Sequence, residues 1–215
     1  MRGRIPQLSY IYLDLASRSP RRQTLLKQLG LPFRVLDVQV DEHRDGGEPP
    51  RAYVHRLALE KARAGLCARQ AGDEYPVIAA DTSVVIDDEV LGKPDDSDQA
   101  LAMLKRLCGR CHQVYTAVAL AGGIERAALS VSRVEFRPLS EAEQRAYVRS
   151  EEPFGKAGGY AVQGLAAAFI SRIEGSYSGI MGLPLHDTAV LLKQAGIDVL
   201  THTYWRRSDI SYRRQ

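Results

Sequence analysis

An apolar run that leads directly into a helix, at residues 11–30, constrains the fold of this chain more than any other feature. Apolar side chains alternate with their neighbours along residues 11–16, which predicts a strand. Ser19 and Pro20 then have the order of a helix N-cap followed by proline in the first turn, and Gly30 is placed to end that helix. A strand that feeds a helix in this way points several backbone N–H groups at one spot.

The first turn of this helix carries a conflict of charge. Arg21 and Arg22 stand beside the positive end of the helix dipole, where acidic residues are normally favoured. The hydroxyls of Ser17 and Ser19 lie next to them in the sequence. A bound anion, with phosphate the leading choice, would resolve the conflict. The alternative is a basic helix start that water solvates.

The composition is that of an ordinary globular chain without a strongly basic body. The 215 residues are 45% hydrophobic and 26% charged, which suits one domain, or one domain with a lobe, and a core that needs no disulfides. The formal net charge is +3, and four arginines against Asp209 in the last fifteen residues account for it. Nucleic-acid binding is therefore not expected, because it needs clustered cations.

Neither a membrane segment nor a disulfide framework is expected. No apolar run reaches the roughly 18 residues of a membrane span, and the first residues lack the apolar core of a signal peptide. Cys67, Cys108 and Cys111 are too few, and odd in number, for a framework of disulfides. These features predict a soluble, cytoplasmic protein.

The run from Cys108 to His112 has the C-x-x-C-H spacing of a c-type haem attachment site. The missing export signal, the position of the run across a predicted helix end and strand start, and the lack of a second C-x-x-C argue against haem and zinc. A redox-active cysteine pair stays open from the residues alone.

Two charged residues in the next stretch, Glu42 and Lys61, are candidates for a functional site. A strand is predicted over Phe33–Val40, and Glu42 follows it either as a metal or base group or as part of a plain acidic loop. A helix is predicted from residue 50 to about residue 70, with Lys61 on its apolar stripe. Either the stem of Lys61 passes the edge of the core to reach water, or its ammonium points into a site that holds an anion.

A third charged residue, Asp81, follows the short apolar run Val77–Ala80. This order predicts a carboxylate at the C-terminal edge of a buried strand, where α/β proteins bind their ligands. The alternative is a cap or turn residue.

The second half of the chain alternates strands, helices and glycine-rich loops. Gly109 ends a helix, and Ser140 with Glu143 forms a capping box at the start of another. A loop that contains Lys156 and three glycines would let the backbone approach a ligand closely. The remaining predicted elements are an antiparallel pair over residues 112–121 and 128–136, an apolar strand over 165–173 and a last helix over 185–195.

Together these motifs resemble those of the Maf family of nucleoside triphosphate pyrophosphatases over about residues 10–196. The motifs that carry the resemblance are Ser17-Arg18-Ser19-Pro20-Arg21-Arg22, Val40-Asp41-Glu42, Glu60-Lys61-Ala62, Ala80-Asp81-Thr82, Gly92-Lys93-Pro94, Lys156-Ala157-Gly158-Gly159-Tyr160, Gln163-Gly164, Gly175-Ser176-Tyr177 and Gly182-Leu183-Pro184. Their order along the chain is specific, although each motif alone is not.

The resemblance implies an α/β fold with an elongated mixed sheet flanked by helices, and two lobes around a cleft, similar to inosine triphosphate pyrophosphatases. It implies hydrolysis of a nucleoside triphosphate to the monophosphate and pyrophosphate with a divalent cation, Mg or Mn, and a house-cleaning role for modified nucleotides. It also leaves a homodimer as a candidate assembly. The expected limits are an N-terminal extension over residues 1–9, one domain over 10–200 and a basic tail over 201–215.

The resemblance also implies roles for individual residues. Asp81 matches the proton acceptor, and Glu42 is its acidic partner, with both as metal ligands. Four residues match groups around the phosphates, namely Ser17, Arg22, Lys61 and Lys93. Three match positions of substrate choice, namely Arg21, Thr82 and Gln163.

The resemblance favours the pyrimidine branch, which acts on dTTP and UTP, because that branch has Gln at position 163, whereas the 7-methyl-GTP branch usually has a different residue there, often Glu. The amide of Gln163 both donates and accepts hydrogen bonds, which suits a uracil or thymine edge. The alternatives are a 7-methyl-GTP pyrophosphatase and a non-catalytic, nucleotide-sensing regulator of cell division. Gly155 departs from the family pattern, which typically has aspartate there, and this puts the order of the loop or a second acidic contact in doubt.

Overall fold

The computed structural model describes residues 13–70, 73 and 75–201. The start of the first predicted strand, the N-terminal extension and nearly all of the basic tail lie outside these residues. The elements, in order, are β1 (Leu13–Leu15), α1 (Pro20–Gln28), β2 (Phe33–Val35), α2 (Pro50–Ala68), β3 (Val77–Ile86), β4 (Glu89–Leu91), α3 (Ser97–Leu107), β5 (Cys111–Ala121), β6 (Arg126–Phe136), α4 (Glu141–Arg149), β7 (Ile170–Glu174), α5 (Tyr177–Met181) and α6 (Leu185–Gln194), with 3-10 turns at Ala157–Gly159 and Leu165–Ala168.

The seven described strands form one mixed sheet in the order β2-β1-β3-β5-β6-β7, with β4 on the side of β3 that also pairs with β1. The β1 strand is parallel to β2 and β3, and the other pairs are antiparallel. The prediction of an α/β fold with a mixed sheet flanked by helices is confirmed.

Helices cover both faces of the long central strands, which explains why nine of the ten residues of β3 are buried. On one face Ala58 and Ala62 of α2 pack against Val77 and Ala79. On the other face Ile78 and Ala80 belong to a core with α1 and α6. Further along the same strands, a separate core joins α3 and α4 to the far ends of β3, β5 and β6. The two lobes around a cleft stay a prediction.

A gap in the sheet lies beside the middle of β3. The β1 strand pairs with β3 only at Val77 and Ile78, and β4 pairs only at residues 84–86. On that side, residues 79–83 therefore have no neighbouring strand among the described residues. Asp81 and Thr82 lie within this gap.

Several local predictions hold. Pro20 begins α1 and Gly30 follows its end with a φ of 70°, and the capping box of Ser140 and Glu143 is present at α4. The Ser19 prediction is only half right, since Ser19 occupies the N-cap position without a side-chain capping hydrogen bond.

Three element predictions are wrong. The strand predicted over Phe33–Val40 ends at Val35, because its neighbour β1 ends at Leu15 and leaves nothing to pair with. The strand predicted over 165–173 is a 3-10 turn followed by β7. Asp81 does not end a strand, because β3 continues past it in register with β5.

The cysteine run straddles the end of α3 and the start of β5, as predicted. Cys108 accepts a hydrogen bond from the backbone N–H of Leu139, and Cys111 is exposed. His112 is buried, and its Nε2 lies 2.8 Å from the Tyr160 hydroxyl. Within the described chain, no helix combines the length and apolar character needed to cross a membrane.

Candidate active site

A cavity of about 510 Å³ occupies the gap beside β3. Its volume falls in the range of small-molecule sites. All nine residues that the sequence singled out line it: Ser17, Arg21, Arg22, Glu42, Lys61, Asp81, Thr82, Lys93 and Gln163. The segment after β1, the start of α1, the middle of α2, the middle of β3 and three loops thus bring together side chains that are up to 146 residues apart in sequence.

Arg22 ties three elements together at one wall of the cavity. Its Nε donates to the carbonyl of Gly182 at 2.8 Å, and its two Nη atoms lie 3.3 Å from the hydroxyls of Ser17 and Thr82. Burial lowers the pKa of Arg22, and nearby Asp81 partly opposes this, but a guanidinium stays protonated at neutral pH. Gly182 has a φ of 120°, and a Cβ there would lie 3.5 Å from Arg22 Nε.

Two more cations face the same part of the cavity without carboxylate partners among the described residues. Arg21 is partly buried and makes no hydrogen bond or ion pair with the described residues, while Lys156 donates to the carbonyls of Glu152 and Phe154. Burial lowers the pKa of Lys156, and the charge of Arg21 lowers it further. Like charges held together without acids are typical of a site for a polyanion.

Lys61 joins the two acidic residues of the cavity. Its Nζ lies 2.6 Å from Glu42 Oε1 and 2.6 Å from Asp81 Oδ1. The side chain of Lys61 is 12% exposed and that of Asp81 10% exposed. Of the two interpretations of Lys61, the structure supports the one in which the ammonium points into the site.

The charge of Lys61 also controls the ionisation of Glu42. Partial burial alone would raise the pKa of Glu42, but the hydrogen bond and charge of Lys61 outweigh it. Lys93, whose Nζ is 3.9 Å from Glu42, and Arg22 act in the same direction. The net result is a lowered pKa, so Glu42 is ionised at neutral pH.

Two glycines allow the close packing that forms the cavity. A Cβ at Gly65 of α2 would lie 2.6 Å from Val77 Cγ1, so glycine lets this helix approach the sheet one turn beyond Lys61. Gly158 has a φ of 66°, and a Cβ there would lie 2.8 Å from Val84. Its N–H donates to the carbonyl of Gly92 at 2.9 Å, which joins the loop of Lys156 to the loop of Lys93.

Gly155 also lines the cavity, with a φ of 70° and no atom near the place where a side chain would begin. The loop around it is held by the Lys156 ammonium, which donates to the Phe154 carbonyl, and by the Gly158 N–H, which donates to the Gly92 carbonyl, so these contacts form without an aspartate at that position.

Two supporting residues were not predicted from the sequence. Glu152 accepts hydrogen bonds from the N–H groups of Leu165 and Ala166, at 2.7 and 3.1 Å, and so fixes the turn that follows Gln163. Buried Thr116 lies 3.1 Å from the Thr82 hydroxyl and donates to the carbonyl of Gly179. The only sequence signal for Thr116 is a hydroxyl in an otherwise apolar strand.

Glu42 and Asp81 fit a metal site that substrate phosphates complete, but not one built from three or more protein side chains. Within the described residues, no group of three or more His, Cys, Asp or Glu side chains is placed to hold a metal ion. Glu42 and Asp81 have oxygens no more than about 5 Å apart, since both contact the same nitrogen. Mg²⁺ is commonly held by one or two carboxylates together with substrate phosphates and water. The pair therefore fits a cation that arrives with a phosphate ligand.

Comparison with known proteins identifies relatives over most of the chain. The family model described as "Maf-like protein" matches residues 12–195. A protein of Xanthomonas campestris named dTTP/UTP pyrophosphatase is 52% identical, over 86% of this chain and 98% of the relative. Proteins with the same name from Alkalilimnicola ehrlichii and Bordetella parapertussis are 48% and 51% identical, over 89% and 87% of this chain and 96% and 94% of the relatives.

Among solved structures, the Staphylococcus aureus Ham1 protein aligns with 58% of this chain and 71% of its own at 15% identity. The TM-score is 0.42, and this distant likeness carries no part of the assignment.

Proposed function

Because the chain belongs to the Maf-like family, we propose that it hydrolyses dTTP and UTP to the nucleoside monophosphate and pyrophosphate. One observation carries this proposal: a single cavity holds a group of cations next to a lysine that bridges two carboxylates. The cations suit a triphosphate, and the carboxylates suit the chemistry at one of its phosphorus atoms. Proteins that only bind phosphate rarely place carboxylates among their cations.

The reaction is an in-line attack of water on the α-phosphorus. The new bond joins the water oxygen to that phosphorus, the bond to the bridging oxygen breaks, and pyrophosphate leaves with the electron pair. Asp81 takes the proton of the attacking water. Most of the catalytic effect in such reactions comes from positioning and neutralising charge. Arg21 and Arg22 would each grip two oxygens, whereas Lys61 and Lys93 act as point charges.

Glu42 and Asp81 would hold the divalent cation, Mg or Mn. A bound cation supplies charge neutralisation at the phosphate oxygens. Lys61 contacts both carboxylates, and it would keep them oriented toward the α-phosphate while it contacts the phosphate itself.

Three cavity residues would choose the base. Gln163 is exposed at the cavity, and its amide can pair with the donor and acceptor edge of uracil or thymine. Arg21 and Thr82 are far from Gln163 in sequence, but they line the same cavity. The names of the relatives support this choice over 7-methyl-GTP.

We place the reaction in the cytoplasm, because all three cysteines are free and disulfides are the mark of oxidising compartments. A homodimer remains a prediction that light scattering on the purified protein would test.

The test is release of pyrophosphate from dTTP, UTP, 7-methyl-GTP and ATP by the purified protein, with Mg²⁺ or Mn²⁺. We expect the two pyrimidine nucleotides to be preferred. Preference for 7-methyl-GTP would move the chain to the other branch, and no release from any nucleotide would favour a nucleotide-sensing regulator.

The Asp81→Asn variant tests the proton acceptor. We expect turnover to fall by about a hundredfold or more, the usual effect of a lost general base. Asp88→Asn is the matched control, since it makes the same change in the exposed turn between β3 and β4. An Asp81→Asn protein that folds normally and keeps its full rate would remove Asp81 from the mechanism.

A further inference from the structure

Glu42 reaches the cavity from a segment that has no regular secondary structure. Residues 36–49 lie between β2 and α2 without a helix or strand, and the Glu42 side chain is 48% exposed. Asp81 is fixed by the ladder of β3, but nothing of that kind holds Glu42. Something else must set its position if it acts together with Asp81.

Besides hydrogen bonds within the segment, such as those from Arg44 to the Glu48 carbonyl, side chains of α2 hold it. The Tyr53 hydroxyl donates to the carbonyl of Glu42 at 2.8 Å. One residue further along the segment, the carbonyl of His43 accepts from Arg56 Nη2 at 3.0 Å. These two bonds fix the backbone directly after the Glu42 side chain.

Arg56 is also anchored to the far end of the segment. Its Nε and Nη2 lie 2.9 Å from the two carboxylate oxygens of Glu48, as a fork-to-fork pair. The Glu48 side chain is 12% exposed and that of Arg56 31%. Paired charge-assisted bonds of this kind are stronger and more directional than single neutral ones. Glu60, one turn further along α2, accepts from the remaining Nη1.

One helix therefore controls both ends of the Glu42 side chain. The Tyr53 and Arg56 side chains of α2 hold the backbone of the segment, and Lys61 of the same helix contacts the carboxylate at 2.6 Å. A change in the Arg56–Glu48 pair would move the backbone of the segment while leaving Lys61 and Asp81 in place.

We infer that Arg56, through its fork with Glu48, is a positioning residue that sets the Glu42 carboxylate beside Asp81. This inference rests on the proposed function, in which Glu42 and Asp81 work as a pair. Neither Arg56 nor Glu48 lines the cavity, so both would act only through the segment that carries Glu42.

The test is a double-mutant cycle between Glu48→Gln and Glu42→Gln. Residues that orient a catalytic or metal-binding carboxylate typically contribute about 10- to 100-fold. We expect Glu48→Gln to lower turnover by about tenfold or more and to raise the Mg²⁺ concentration needed for half-maximal rate. In the Glu42→Gln background the same substitution should change the rate less than about twofold.

Arg63→Gln is the matched control. Arg63 lies two turns beyond Arg56 on α2 and forms a similar fork with Glu125, at 2.8 and 2.6 Å, away from the segment of Glu42. Its loss should leave both the rate and the Mg²⁺ dependence unchanged. An equal loss of rate from Glu48→Gln with and without Glu42 would overturn the inference.

Hydrogen exchange supplies a readout that does not need activity. In Glu48→Gln, amides in residues 41–49 should exchange faster, while those of α2 and β3 keep their wild-type rates. Unchanged exchange in residues 41–49 would overturn the inference. If the wild-type protein releases no pyrophosphate from any nucleotide, the proposed function fails, and the exchange experiment still decides whether Arg56 and Glu48 hold the segment.

Discussion

His112 makes the stability of this protein depend on pH in a predictable direction. Its ring is 2% exposed and packs edge-on against Phe136 and Tyr160. Nε2 is bonded to the Tyr160 hydroxyl, but Nδ1 has no hydrogen-bond partner among the described residues. Burial lowers the pKa of His112 to about 3. The ring is therefore neutral in the folded protein at any ordinary pH.

The unfolded chain behaves differently, because its histidines titrate near about 6.5. As the pH falls below about 6.5, His112 binds a proton in the unfolded state but not in the folded state, so the folded state loses stability. The loss continues until the pH approaches the pKa of about 3 in the folded protein. Between pH 8 and pH 5, this one group should cost about 2 kcal/mol of unfolding free energy.

Urea unfolding at the two pH values measures this cost, with His112→Leu as the comparison. The substitution leaves the Tyr160 hydroxyl without its partner, which costs about 1–3 kcal/mol at every pH. The slope with pH is therefore the informative quantity. Wild type should lose about 2 kcal/mol more than His112→Leu between pH 8 and pH 5.

His55→Leu is the control, because His55 is exposed on α2 and its loss should leave the slope as in wild type. Parallel pH curves for wild type and His112→Leu would refute the reasoning, since they would mean that His112 takes up its proton equally in both states.

Two further predictions concern the cavity itself. Gly158→Ala places a methyl group 2.8 Å from Val84 at a φ of 66°, so we expect a loss of about 2–4 kcal/mol in urea unfolding; an unchanged midpoint would mean that the loop does not pack as described. Lys61→Gln removes the ammonium that lowers the pKa of Glu42, so the acid limb of kcat/KM should move to higher pH. A limb that stays in place would show that Glu42 does not control activity.

Local chemistry predicted some elements well from the sequence alone. The Pro20 start of α1, the capping box of Ser140 and the Gly30 helix end depend on residues close in sequence, so no knowledge of the rest of the fold was needed. The strand over Phe33–Val40 failed for the opposite reason. Its alternating pattern is compatible with a strand, but its length is set by where β1 ends.

The candidate site also combines features visible in the local sequence with features that depend on the rest of the fold. Lys61 on an apolar stripe and Asp81 after an apolar run were visible as unusual residues, but their contact at 2.6 Å joins two elements through the tertiary fold. Only the resemblance to a family assigned them to one site. Glu48 and Arg56 escaped notice because an acid in a polar loop and a base on a helix have no local signature.

The gap beside β3 exists because both of its flanking strands are short. The β1 strand ends at Leu15 and β4 ends at Leu91, so neither reaches the middle of β3. Five residues of β3 are thereby left open over about 16 Å. A substrate in this cleft would lie where another chain segment would otherwise pair. Longer flanking strands would close the sheet across its own binding site, so the early ends of β1 and β4 keep the cavity open.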